Sequence, residues 1–133
     1  MDSIILVEDE QPIRELLFEF LQDLGYQVLA FETADLAWEH IRERRYPVRL
    51  LITDLRVPGD MDGLDLIKRL RSTAPNTPVV VVSGFHQESS SLRNDDIYWL
   101  GKPFPLQRLE MLCQEIVSSE SPFSVSYFRD SES

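Results

Sequence analysis

The stretch Ile4–Pro12, "IILVEDEQP", decides how the rest of the chain is read. An apolar run ending at Val7 breaks straight into three consecutive acids, Glu8, Asp9 and Glu10, and Pro12 then stands at a first helical position. A strand running into a helix through a short turn is how an open α/β fold begins, and that first turn commonly takes a ligand. Phosphate binders fill it with glycines so that backbone N–H groups can reach the anion. This turn has no glycine, and its carboxylates would repel a bare phosphate.

Working outward, short apolar or β-branched runs recur at Ser3–Val7, Gln27–Phe31, Arg49–Thr53, Pro78–Ser83 and Ile97–Leu100, the lengths expected of buried strands. Helical patterns separate them. Ile13, Leu16, Leu17, Phe20, Leu21 and Leu24 follow a 3-4 spacing before Gly25. Ala34, Ala37, Trp38 and Ile41 repeat it, as do Leu64, Ile67 and Leu70, and a last set, Leu106, Leu109, Leu112, Cys113 and Ile116, opens at Pro105. Runs such as "RLLIT" and "PVVVV" lack alternation, so their strands are expected to be covered on both faces, as in a parallel sheet between helix layers. The order is βα repeated five times. The fourth repeat is poor: "FHQESSSLRNDD", Phe85–Asp96, predicts a short or irregular helix. Beyond Ser118 the serine-rich end predicts a flexible tail over 119–133, with a docked strand through Phe123, Val125 and Tyr127 as the alternative.

The 133 residues fit one domain, and 43% apolar with 27% charged residues is ordinary for a soluble globular protein. With 23 acids against 13 bases the net charge is −10, which argues against nucleic-acid binding by this chain itself. No stretch is long and apolar enough for a membrane span, and the start lacks the pattern of a signal peptide, so a cytoplasmic location is expected. The single Cys113 reads as a core filler.

In a parallel α/β sheet the C-terminal ends of the strands share one edge, where the ligand crevice forms. Those ends carry Glu8 and Asp9 after the first strand, Asp54 after the third, Ser83 after the fourth and Lys102 after the fifth. Each alone has an ordinary structural use, as a cap, a turn residue or an ion-pair partner. Together they place three acids, a hydroxyl and an amine on one edge. Crowded carboxylates raise one another's pKa unless a cation compensates them. With oxygen donors only, the implied ion is Mg²⁺. A crevice so neutralised can accept a phosphoryl group, with Lys102 and Ser83 for its oxygens and Asp54, on the central strand, as nucleophile.

With these residues in place, the chain resembles the receiver domain of two-component response regulators, the flavodoxin-like (βα)₅ module with a parallel sheet ordered 2-1-3-4-5. The matching words are "ILVEDE", "LLITDLRVPGDMDGLDL", "VVVVSG" and "LGKPF", and the likeness covers about residues 1–118. It implies that Asp54 takes a phosphoryl group from a histidine kinase, a histidine phosphotransfer protein or a small donor such as acetyl phosphate. It further implies that Glu8, Asp9, Asp54 and the backbone carbonyl of Arg56 hold Mg²⁺, and that Ser83 and Lys102 contact the phosphoryl oxygens. Lys102-Pro103 would be cis, Trp99 would be the switching aromatic, and Arg56, Gly84, Phe85 and Pro103 would flank the site. Partners implied are the kinase and an effector or linked output domain, with homodimerisation through the fourth and fifth repeats as a further mode. The chemistry would be confined to the chain's own phosphorylation and dephosphorylation.

Two departures stand out. The loop after Asp54 has one residue more than the common form, with Gly59-Asp60 inside it, and Ser83 and Lys102 are about three residues closer than usual. The shortage falls in the fourth repeat, so partner contact is expected to use a remodelled surface around Phe85–Tyr98. Other classes fit less well. A haloacid-dehalogenase-like phosphatase needs a second Asp two residues after the nucleophile, where this chain has Arg56. A flavodoxin-like electron carrier needs a phosphate-binding first turn. A degenerate scaffold would have lost acids or lysine, and all are present. The linker-like tail leads to the expectation of an N-terminal piece of a longer regulator rather than a stand-alone protein.

Overall fold

The computed structural model describes residues 3–43, 48–84 and 97–120. It divides into two compact units, the first ending at Pro103 and the second starting at Phe104. The first runs β1 (Ser3–Val7), α1 (Gln11–Asp23), β2 (Val28–Phe31), α2 (Ala34–Glu43), β3 (Val48–Asp54), α3 (Gly63–Thr73), β4 (Val79–Ser83) and β5 (Ile97–Gly101). The second carries α4 (Leu106–Glu120). The expected irregular helix at Phe85–Asp96, the surface expected over Phe85–Tyr98 apart from Ile97 and Tyr98, and the tail from 121 onward lie outside the described residues.

The strands pair in parallel in the order β2-β1-β3-β4-β5, as the resemblance implies. Every residue of β1 is buried and β4 is exposed only toward its last residue, whereas the edge strands β2 and β5 are mostly half-buried. Burial on both faces explains the missing alternation. One face is sealed by α2 and α3: Ile5, Val7, Leu51, Val79 and Val81 pack with Ala34, Ala37, Leu66, Ile67 and Leu70. The chain moves from β1 outward to β2 and then back past β1 to β3. Right-handed crossovers therefore place α1 on the opposite face from α2. There Ile4, Leu6, Leu50 and Ile52, of the other parity, are buried as completely.

Helix α1 starts one residue before Pro12 and ends in a Schellman motif. Tyr26 N–H donates to Leu21 O at 3.2 Å and Gly25 N–H to Gln22 O at 2.9 Å, with Gly25 at φ +103° supplying the left-handed turn. Leu17 and Leu21 are buried, but Leu16, expected on the same face, is 52% exposed. It lies about 100° round the helix from Leu17 and about 140° from Leu21, beyond the edge of the stripe that meets the sheet. Helix α3 begins with a reciprocal capping box, Asp65 N–H to Asp62 Oδ1 and Asp62 N–H to an Asp65 oxygen.

In the second unit Leu109, Leu112, Cys113 and Ile116 are buried, the periodic set read from the sequence, while Met111 is 62% exposed. Pro105 stands just before the helix rather than inside it. Its carbonyl accepts the N–H of Arg108 at 3.0 Å. The helix continues to Glu120, past the expected end of the domain at 118.

Candidate functional site

Strand register brings the polar residues together. Val7 pairs with Thr53, so the residues that follow, Glu8 and Asp54, emerge side by side. Asp54 pairs with Val82, which places Ser83 at the next step, and Ser83 pairs with Gly101, which places Lys102 beyond it. Lys102 N–H donates to Ser83 O at 2.8 Å and fixes that last step. A central position for β3 puts Asp54 between both flanks.

Lys102 Nζ donates to Asp54 Oδ2 at 2.7 Å and to Glu8 Oε1 at 3.2 Å. The Lys102 side chain is 24% exposed, that of Asp54 14% and that of Glu8 3%, so this ion triad is largely shielded from water. Burial pushes the Glu8 carboxyl above the usual carboxylate range, against the pull of the Glu10 N–H, at 3.1 Å from Oε2, and of Lys102. Burial also pulls the Lys102 ammonium down. The hydrogen bond and charge of Asp54, with those of Glu8, outweigh it and leave Lys102 raised. Asp54 Oδ1 meanwhile accepts the backbone N–H of Arg56 at 3.2 Å, so hydrogen bonds hold both oxygens of this carboxylate.

Asp9 is exposed and completes a set in which Glu8, Asp9 and Asp54 each offer one carboxylate oxygen, all within 4.8 Å of one another. Octahedral Mg²⁺ at about 2.1 Å from its ligands needs oxygens about 3 to 4.2 Å apart. The donor set therefore fits a small hard cation after a modest inward adjustment.

The remaining expected residues fall around this edge. Ser83 is half-buried and Gly84 exposed; Pro103 is exposed and follows a cis peptide bond. Phe85 lies outside the described residues. Trp99 sits on β5 opposite Val81 and packs half-buried against the core that α2 and α3 seal. Arg56 is exposed.

Two supporting residues escaped the sequence reading. Arg14 NH1 reaches back from α1 to the carbonyls of Glu8 and Asp9, at 2.9 and 3.4 Å, and ties down the acidic turn. Gly63, the first residue of α3, donates to Leu55 O at 2.9 Å, and a Cβ on it would overlap the carbonyl oxygen of Asp54. The spacing of Arg14, one helical turn past the acids, is a signal for the first. Gly directly after the Asp62 cap is a signal for the second.

A family model described as the response regulator receiver domain matches residues 4–114. The chain is similar to the response regulator receiver protein CpdR of Brucella abortus, 33% identical over 112 residues that span 82% of this chain and 91% of that protein. Among solved structures, the receiver domain of NtrX from Brucella abortus superposes with a TM-score of 0.77 at 30% identity, covering 87% of this chain and 98% of that one. The response regulator protein TrrA from Thermotoga maritima, in complex with Mg²⁺ and BeF, gives 0.70 at 27% identity, covering 87% and 99%. Other curated relatives are longer: the chain spans 51%, 43% and 25% of three of them.

Proposed function

The chain belongs to the response regulator receiver family, and on that premise we propose that Asp54 accepts a phosphoryl group in a Mg²⁺-dependent step that switches partner contacts. The observation that carries this reading is the Lys102 ammonium held at 2.7 Å from Asp54 and 3.2 Å from Glu8, with Asp9 completing the acidic set. The donor is a phosphohistidine of a sensor kinase or of a histidine phosphotransfer protein, or a small acyl phosphate.

Glu8, Asp9, Asp54 and the carbonyl of Arg56 are the residues that would hold Mg²⁺. Bound there, the ion offsets the negative charge of both the carboxylates and the incoming phosphoryl group. An Asp54 carboxylate oxygen attacks phosphorus, an O–P bond forms, the N–P bond to histidine breaks, and the imidazole leaves with the electron pair and takes up a proton. Lys102 and the hydroxyl of Ser83 donate to the phosphoryl oxygens. Hydrolysis reverses the modification, with Arg56 flanking the approach of water. The chemistry stays on the chain's own Asp54, so we class it as a signalling module rather than an enzyme acting on other substrates. An Asp-nucleophile phosphatase would want an acid at position 56, where the Arg56 N–H is instead bound to the acceptor.

Trp99 is the aromatic we assign to the switch. Among the described residues no helix is long and apolar enough to cross a membrane, and we place the switch in the cytoplasm. Its output passes to an effector or a linked output domain, or to a second copy of the chain, and any nucleic-acid contact belongs to such a partner. Incubation with acetyl phosphate and Mg²⁺, read by intact mass, should add one phosphoryl group, with no gain in Asp54→Asn or in EDTA. A stable adduct on serine would reject the assignment.

A further inference from the structure

The loop from Asp54 to the cap of α3 carries Arg56, whose carbonyl belongs to the proposed ion site. It is seated on α2 through two kinds of contact. Val57 and Met61 are buried, 9% and 8% exposed, in the same cluster as Ala34 and Ala37. Between these anchors, Asp35 Oδ1 accepts the backbone N–H of Met61 at 3.2 Å.

Gly59 shows how close that approach is. A Cβ there would lie 2.5 Å from Asp35 Oδ1, and the residue sits at φ +114°. The backbone conformation calls for glycine, and a side chain there would push the Asp35 carboxylate away from the Met61 amide. Asp35 is itself held in the first turn of α2, where Thr33 Oγ1 accepts the Leu36 N–H at 3.1 Å. A carboxylate in a first turn is also favoured by the helix dipole.

We propose that Asp35 is a positioning residue for the ion site: its carboxylate pins the Met61 amide, and with it the loop that presents Arg56 beside Asp54. This rests on the reading of the acidic cluster as a Mg²⁺ site. Without the acceptor, the N–H of a buried residue loses its partner and the loop is free to lift from α2. The loop's extra residue increases the number of conformations that then compete.

The test is calorimetric titration of MgCl₂ into the full chain and three variants, with circular dichroism to verify folding. Asp35→Ala should weaken Mg²⁺ binding about three- to tenfold, the range of one lost hydrogen bond. Asp35→Asn keeps the oxygen acceptor while removing the charge, and should bind within about twofold of the parent. Gly59→Ala pushes the same contact apart from the other side and should weaken binding like Asp35→Ala. If Asp35→Ala does not fold, Asp35→Ser, whose shorter side chain stops short of the Met61 amide, replaces it in the contrast with Asp35→Asn. Unchanged affinity in the disrupting variants, or equal weakening in Asp35→Asn, would overturn the proposal. A parent chain with no affinity for Mg²⁺ would instead remove the ion site itself.

Discussion

Replacing Lys102 with Met removes the cation from the acidic cluster while keeping most of its volume. Glu8, Asp9 and Asp54 would then offer oxygens within 4.8 Å of one another with no ammonium among them. At that separation each pair of unit charges repels by about 3.5 kcal/mol at an effective dielectric of about 20. Asp9 is exposed, and Glu8 can relieve part of the strain by taking up a proton, so the net loss is smaller than the bare repulsion. We expect about 2–4 kcal/mol of destabilisation in EDTA at pH 8, an earlier urea midpoint by roughly 1–2 M. The sign with pH follows from the raised Glu8. Protonation favours the folded state, so the deficit should shrink as pH falls toward the Glu8 range above 4.5 and grow as pH rises past it. Adding Mg²⁺ should stabilise Lys102→Met more than the parent, because the ion takes up the vacated charge. Equal stability of the two chains in EDTA, or greater Mg²⁺ stabilisation of the parent, would refute the reasoning.

Three further outcomes are expected. Gly63→Ala should destabilise the fold by about 1–3 kcal/mol in urea unfolding, since its Cβ would overlap the Asp54 carbonyl, a backbone atom that cannot swing away. Arg14→Ala should cost about 1 kcal/mol and weaken Mg²⁺ binding a fewfold by calorimetry, because the carbonyls of Glu8 and Asp9 lose their guanidinium donor. Burial pushes the Cys113 thiol up to about 12, so a disulfide reagent at pH 8 should label it only after unfolding. As that value lies above the ordinary thiol value of the unfolded chain, the thiol's contribution to stability is complete below the ordinary value and is lost as pH rises through about 12.

The strands were legible because β1, β3 and β4 are buried on both faces, which leaves unbroken apolar runs in the sequence. The convergence of Glu8, Asp9, Asp54, Ser83 and Lys102 followed from one rule about strand ends and agrees with the observed register. Leu16 was misjudged because spacing alone does not say how wide a stripe the sheet will cover. Arg14, Asp35 and Gly63 were missed for a different reason. Their partners are backbone groups, the carbonyls of Glu8, Asp9 and Leu55 and the amide of Met61, and although spacing marks Arg14 and Gly63 as candidates, a sequence does not display where loop backbone points. Asp35 and Met61 lie on separate elements that only the closed fold brings together.

Mn²⁺ is a hard, oxygen-seeking ion that can stand in for Mg²⁺ and scatters anomalously. Crystals grown with it offer the most direct view of whether Glu8, Asp9 and Asp54 share a cation. A single anomalous peak bounded by those three side chains is the predicted result. Ordered carboxylates with no peak between them, or a peak that leaves Asp54 out, would contradict the account.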